Sequence, residues 1–395
     1  METDFIGGRR VTSAFPHRRG KFQTIKEFLM NISRRSFVKG VVATVGAASV
    51  GIVPEHASGK NNAANSAAPV PGAGGDIYIP YAQRQGAESV VWFTRDLSAQ
   101  GLRKIFAKVG SALTGKVAIK LHTGERNGPN IIPRPWVQEL IARDLPGATI
   151  VETNAYYEGG RHTTPLHRAT LKANGWTFAP VDIMDEHGTV MLPVKGGKWF
   201  KEMSVGKSLP SYDSLLALTH FKGHAMGGFG GSNKNLGIGC ADGRIGKAMI
   251  HTRKGEGQWS ITAEEFMERM TESTKAVADC FGPRIAFINV LRNMSVSCDC
   301  EGVAAQPVVT PDIGIVASLD ILAADQASVD LVMALSANDR AALAERMSSR
   351  HGFRQLSCMK EMGMGNDRYR LLDSDNGDAP ILPANAVTGV RSFMA

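Results

Sequence analysis

Two histidines four residues apart, His220 and His224, open the stretch of this chain richest in groups that can do chemistry. It reads Thr219-His220-Phe221-Lys222-Gly223-His224-Ala225-Met226-Gly227-Gly228-Phe229-Gly230-Gly231-Ser232-Asn233-Lys234-Asn235-Leu236-Gly237-Ile238-Gly239-Cys240, and it continues to Gly246-Lys247 and His251. Imidazoles bind metals or shuttle protons. A lysine in a dry pocket can act as a nucleophile or an anchor. His224 and Lys234 are therefore candidate catalytic groups, and His224 and His251 candidate metal ligands. The glycines admit a ligand close to the backbone and let N–H groups cradle an anion. Gly228, Gly230, Gly231, Lys234 and Asn235 are candidate cofactor contacts. The stretch is too rich in glycine to be a regular helix, so the histidine pair does not by itself read as a zincin motif. Other motifs fail. Gly246-Lys247 runs into Ala248, which excludes a P-loop, and no G-x-G-x-x-G is present. Ser232 is followed by Asn233-Lys234, which breaks G-x-S-x-G.

Five cysteines, Cys240, Cys280, Cys298, Cys300 and Cys358, are too few and too odd in number for a disulfide framework. There is no C-x-x-C, so zinc-knuckle and ferredoxin motifs are absent. In Cys298-Asp299-Cys300 the two thiols would share one face of a strand. Thiolates favour soft or borderline metals, and Cys240, Cys298 and Cys300 with a histidine could complete a site. Ordinary thiols, or a disulfide to Cys240, fit the same spacing. Arg161, after Gly159-Gly160, could orient an anionic substrate. Asp330, ten residues after Asp320, reads as a solvated or capping residue.

The elements that must position these groups alternate. Strands are expected at Ser89–Thr94, Val117–His122, Thr149–Thr153, Thr177–Ile183, Leu215–Thr219, Arg284–Val290 and Asp312–Ser318. Helices are expected at Ala99–Leu113, Arg134–Arg143, Thr164–Asn174, Ala263–Phe281, Ile321–Leu335 and Arg340–Met347. The pattern predicts an α/β fold, with a mainly parallel sheet, helices on both faces and room for two lobes around a central cleft. Sites in such sheets collect at the carboxyl ends of strands. His122 ends one strand, Asn154 follows another and His220 a third. This adds His122 as a catalytic candidate and Asn154 as a cofactor contact.

The N-terminus reads as an address. Ser33-Arg34-Arg35-Ser36-Phe37-Val38-Lys39 has the form of a twin-arginine export signal. The apolar run Gly40 to Val53 is shorter than the about 20 residues a membrane span needs. A small-residue exit follows, with cleavage expected between Ala57 and Ala68. Met30 is the expected start. Residues 1–29 then read as an upstream extension, 30–68 as signal peptide, 69–88 as linker, 89–375 as the folded domain and 376–395 as a C-terminal tail. Such a signal implies the export machinery as a partner, periplasmic residence and no stable membrane anchor after processing. The formal charge of +8 is concentrated here: ten Lys/Arg and four acids fall in residues 1–60, which leaves only +2 for the remainder. Composition thus gives no sign of a nucleic-acid-binding face.

His220–Lys247 resembles the core of the family known as domain of unknown function 362. That family reads His-Phe-Lys-Gly-His, Gly-Phe-Gly-Gly, Lys-Asn-Leu-Gly-Met-Gly-Cys, Gly-Lys and a histidine. This chain matches, with Ile238 in place of Met. Lys120-Leu121-His122-Thr123-Gly124-Glu125, Glu152-Thr153-Asn154, Gly160-Arg161 and Cys298-Asp299-Cys300 agree as well. Many members carry an iron–sulfur insert after the position of His251; Thr252–Ser260 here has no cysteine, so that cluster is not expected. The order His224, Gly230-Gly231, Lys234, His251 is also similar to that of nickel-pincer lactate racemases, and His122 resembles their catalytic histidine. The resemblance implies a transition metal (Ni, Zn or Fe) or a lysine-linked metal cofactor, and an oxidoreductase or isomerase acting on a small anionic substrate. The alternative is a non-enzymatic metal-binding or redox-accessory protein.

Overall fold

The computed structural model describes residues 77–393. The twin-arginine segment, its apolar run and the expected cleavage region lie outside the described residues. In chain order the elements are β1 (Glu88–Thr94), α1 (Ala99–Phe106), β2 (Val117–Lys120), α2 (Arg134–Asp144), β3 (Thr149–Glu152), α3 (Thr164–Ala173) and β4 (Val181–Ile183). They continue with β5 (Thr189–Pro193), β6 (Glu202–Gly206), β7 (Ser214–His220), β8 (Lys222–His224), β9 (Gly228–Gly230), α4 (Ser232–Gly237) and α5 (Gly246–His251). The rest are α6 (Ala263–Phe281), β10 (Ile285–Leu291), β11 (Gly314–Ser318), α7 (Ile321–Ala334), α8 (Ala337–Ser349), α9 (Arg354–Glu361), β12 (Arg368–Asp373), β13 (Ala379–Pro380) and α10 (Pro383–Ala386).

Nine strands form one sheet in the order β13-β12-β1-β11-β10-β7-β2-β3-β4. The block β10-β7-β2-β3-β4 is parallel throughout. β1 and β12 pair parallel, while β11 runs against both β1 and β10, and β13 against β12. Every residue of β7 and β10 is buried, as expected of strands covered on both faces. Their side chains alternate between two cores. Leu215, Ala217, Ile285 and Phe287 pack into the core that holds Phe266 and Met270 of α6. Leu216, Leu218, Ala286 and Ile288 pack with Leu102 of α1 and Leu140 of α2 on the other face.

The expected α/β architecture is therefore present, with four local corrections. The described residues form one nine-stranded sheet with two covered faces and the separate two-stranded pairs β5-β6 and β8-β9, rather than two lobes around a cleft, and all fall in the unit Ala64–Ala395. The C-terminal segment is not a tail: β13 extends the sheet and Ala386 is fully buried. The expected linker is integral from its described end, because Tyr78 and Arg84 are buried. Asp330 is neither solvated nor a cap. It is 1% exposed and accepts from both Arg84 terminal nitrogens (2.5 and 2.6 Å), Tyr78 Oη (2.9 Å), Tyr369 Oη (2.6 Å) and Gln326 Nε2 (3.1 Å). No helix among the described residues is long and apolar enough to cross a membrane.

Candidate functional site

The chemistry-bearing residues gather beyond the carboxyl ends of the parallel block. His122 follows β2, His220 ends β7, and the loop after β10 returns Cys298, Asp299 and Cys300 to the same place. At its centre is Cys298, fully buried. Its Sγ lies 3.7 Å from Lys234 Nζ and accepts from the Cys300 amide at 3.4 Å. His122, His224 and the Cys300 thiol lie beside it. The bond from Cys300, the Lys234 charge and the two imidazoles hold Cys298 well below the ordinary thiol value, against the opposing effect of burial. Cys300 is pushed up by the same bond and by burial. One imidazole nitrogen of His224 and the sulfurs of Cys298 and Cys300 all lie within 4.8 Å of one another.

The imidazole tautomers follow from their backbone partners. His224 Nδ1 accepts the amides of Met226 (3.2 Å) and Gly227 (2.8 Å), and His122 Nδ1 accepts that of Gly124 (2.9 Å). A nitrogen that accepts from N–H holds its lone pair, so in the neutral ring the hydrogen is on Nε2. His224 thus offers Cys298 an N–H, whereas His122 Nε2 also lies 3.4 Å from Arg161 Nη2, a group that can only donate. Burial pushes His224 down to about 4 and His122 below its ordinary value, aided by Lys234 and Arg161 respectively. As metal-holding groups the thiols fit and these two rings do not, because a ligating histidine normally donates from its other nitrogen to an acceptor. His251 shows that pattern. Its Nδ1 is 2.7 Å from the Lys247 carbonyl, which leaves Nε2 with a lone pair. Its ring packs among Tyr156, Trp259 and Phe266, and it is not part of the group of three.

The loop around the cluster is fixed from below. Asp299 bonds His220 Nδ1 (2.9 Å) and Lys222 Nζ (2.8 Å), and His220 Nε2 reaches the Arg292 carbonyl (2.7 Å). Although burial opposes it, His220 and Lys222 hold the Asp299 carboxyl well below its usual value. Cys298-Asp299-Cys300 starts a 3₁₀ turn (Asp299–Ala304), not the strand the spacing suggested. Asp299 therefore points into the anchor while both thiols reach the cluster.

Lys234 sits on α4, a short helix in the segment expected to be irregular. The cap that allows it comes from α7, about 90 residues away. Asp325 accepts the amides of Ser232 (2.6 Å) and Asn233 (2.9 Å) and Asn289 Nδ2 (2.9 Å). A Cβ on Gly231 would come within 2.5 Å of that carboxylate, so this glycine makes room for the cap. Gly228, at φ +73°, would meet Gly352 Cα at 2.7 Å. These two glycines serve the packing of chain on chain rather than a cofactor, while Gly230 lies against Lys234. Asn235 is a brace as well: Nδ2 donates to the Lys120 carbonyl and Thr219 Oγ1, both at 3.0 Å, and Oδ1 accepts from Lys120 Nζ at 3.2 Å.

Other expected site residues lie apart. Cys240 is in the apolar core, where burial pushes its thiol up to about 12, and it belongs neither to the metal-ligating group nor to a disulfide. Arg161 is not an open fork for a carboxylate. Its Nε donates to Glu125 (2.7 Å), Nη1 to Glu152 (3.5 Å) and Nη2 to Tyr157 Oη (2.9 Å). Asn154 bonds Thr164 and His167. The residue types alone did not single out Asp325, Glu152 or Lys247. Lys120 and Arg161 hold buried Glu152 well below its usual value despite desolvation. Burial pushes Lys247 down to about 8, with Nζ tied to Thr153 Oγ1, the Asn154 carbonyl and the Ala241 carbonyl.

Buried neutral histidines make the fold sensitive to acid. Desolvation lowers both His167 and His251 to about 3. In the unfolded chain they titrate near 6.5, so below that pH the unfolded state binds more protons and stability falls with pH. At pH 5 each is expected to cost about 2 kcal/mol relative to pH 7. Denaturant unfolding at the two pH values measures the net change, to which His224, lowered to about 4, adds and Asp325, raised by burial to about 6, contributes with the opposite sign, and His167→Gln should shrink the drop. An undiminished drop in that variant would show that His167 is already charged in the fold.

Residues 117–330, more than half of the chain, match the family described as "Domain of unknown function (DUF362)". The chain belongs to that family. Among solved structures, this DUF362 protein is similar to the lactate racemase apoprotein from Thermoanaerobacterium thermosaccharolyticum. The identity is 14% and the TM-score 0.37, covering 67% of this chain and 61% of that one. It is also similar to a protein from Thermotoga maritima, at 11% identity and TM-score 0.29, covering 49% of this chain and 50% of that one. It therefore spans less than two thirds of the length of either. No curated protein matches it.

Proposed function

We propose that this DUF362 protein is an exported metal- or cofactor-dependent enzyme, of oxidoreductase or isomerase type, that acts on a small anionic substrate in the periplasm. The observation that carries this reading is the convergence of His122 with His224 and Lys234, which come more than 100 residues later, at the strand ends. Lys234 and His224 present N–H donors, which suits an anion. The half-buried His122 borders solvent. There its ring can exchange a proton with a bound substrate, and Lys234 can pass a proton or, once deprotonated, form a covalent bond. A bound metal or lysine-linked cofactor would supply charge stabilisation or accept a hydride. The grouping of His224, Cys298 and Cys300 favours a second reading, a non-enzymatic metal-binding protein.

The test is to recover the protein from the periplasm of its own host for elemental analysis and intact mass. A metal, or an added mass on Lys234, is expected. The Arg34→Lys, Arg35→Lys double variant should be retained in the cytoplasm. Exported protein of bare polypeptide mass, free of metal, would refute the reading.

A further inference from the structure

We propose that Cys298 and Cys300 form a two-coordinate site for a monovalent thiophilic cation, Cu(I), in which His224 acts as a hydrogen-bond donor to sulfur and not as a ligand. This deepens the metal part of the proposed function and commits it to one donor set. Three observations carry it.

The first is the count of available lone pairs. The thiols lie within 4.8 Å of each other. Two metal–sulfur bonds of about 2.3 Å can bridge sulfurs up to about 4.6 Å apart, so one ion can bond both thiols. A tetrahedral ion needs two further ligands. His224 cannot supply one, because its Nδ1 is occupied by the amides of Met226 and Gly227 and its Nε2 carries hydrogen, and His122 is not in the group. His251, whose Nε2 does hold a lone pair, is not in the group.

The second is charge. Two thiolates and a monovalent ion carry one net negative charge, which the Lys234 ammonium 3.7 Å from Cys298 Sγ cancels. A divalent ion would neutralise the thiolates by itself and strand Lys234 beside it as an uncompensated buried cation. Lys222 is already paired with Asp299. The third is the surroundings. Soft thiolates select Cu(I) among available ions, and hydrogen bonds to metal-bound sulfur belong to the outer shell that tunes such sites. Here His224 and the Cys300 amide supply them. Binding is not a redox step: two sulfur–metal bonds form, the Cys300 proton leaves to solvent, and copper stays monovalent.

The test titrates the full-length metal-free protein with Cu(I), without oxygen, against a chromophoric Cu(I) chelator, and then challenges it with Zn(II). One Cu(I) per chain should bind and resist equimolar Zn(II). Cys298→Ser and Cys300→Ser should each lose that binding, with circular dichroism reporting their fold. His224→Gln keeps an N–H and should cost no more than the about 10–100-fold expected of an outer-shell partner. X-ray absorption of the copper-loaded wild-type protein, which needs no variant, should show two sulfur neighbours and no nitrogen. No Cu(I) binding, a nitrogen neighbour, or displacement by equimolar Zn(II) would each overturn the assignment. Copper binding without turnover of any substrate would sink the enzyme reading alone, and turnover by protein that binds no Cu(I) would sink this inference alone.

Discussion

Lys234→Ala should abolish activity and cofactor retention while leaving the fold intact. Lys234 is only 9% exposed, yet no carboxylate among the described residues is paired with it; its ammonium faces the Cys298 sulfur at 3.7 Å. A lysine that served stability alone would be expected to end on a carboxylate, as Lys120 does on Glu152 and Lys222 on Asp299. The helix that carries it is held by the Asp325 cap and by Asn235, neither of which involves the lysine side chain. Truncation at 234 therefore removes the ammonium and spares the scaffold. Loss of one positioned proton-transfer group costs on the order of 10²–10⁴ in rate, and loss of a covalent anchor removes the cofactor altogether. Lys234→Arg should not rescue, since a guanidinium neither gives up its proton nor forms the bond, and its planar fork needs more room. Intact mass, elemental content and turnover of host-exported protein measure the effect, with a thermal melt as the folding control. Full cofactor content and activity in Lys234→Ala would remove Lys234 from the site and move the metal-binding reading ahead.

Much of the scaffold was legible because local pattern and tertiary outcome agree. The apolar run Leu215–Leu218 becomes the middle of a central strand; the periodicity of 263–281 becomes α6 with the expected ends. What failed depends on partners distant in sequence. Nothing within Ser232–Gly237 announces a helix, because its cap is Asp325 on α7. Cys298-Asp299-Cys300 looks like a strand by spacing, and only the anchor formed by Asp299 with His220 and Lys222 turns it into a 3₁₀ start. The reversed direction of β11 follows from its pairing on both sides, which no local pattern encodes. At the site, His122, His224, Lys234, Cys298 and Cys300 were readable as residue types, and the structure brings them together. Arg161 and Asn235 were readable too, but their hydrogen bonds are spent inside the protein. Residue type reveals what a group can do, and the hydrogen-bond inventory decides whether it is free to do it.

Asp330→Ala should be among the most destabilising single substitutions in the chain, by about 3–5 kcal/mol, because it breaks a buried ion pair from one side only. The Arg84 guanidinium is 2% exposed at its side chain and would be left with the Ile79 and Asp367 carbonyls as its remaining partners. The Tyr78 and Tyr369 hydroxyls would lose an acceptor in the same place, each a further penalty of about 1–3 kcal/mol if no water enters. Typical domains hold only about 5–15 kcal/mol in reserve, so this one change consumes a large part of it. Removing both charges is a different experiment. Arg84→Met with Asp330→Leu leaves no orphan ion and should lose less than Asp330→Ala alone, since desolvation of the pair no longer has to be offset. Denaturant unfolding of the two variants against the parent gives the comparison. It also tests where the domain begins: Arg84 and Tyr78 lie in the segment whose composition reads as a linker, and only if that segment is part of the cooperative fold can Asp330, 246 residues later, depend on it. A loss below about 1 kcal/mol in Asp330→Ala, the level of a typical surface substitution, would show that residues 77–84 are not part of that cooperative unit.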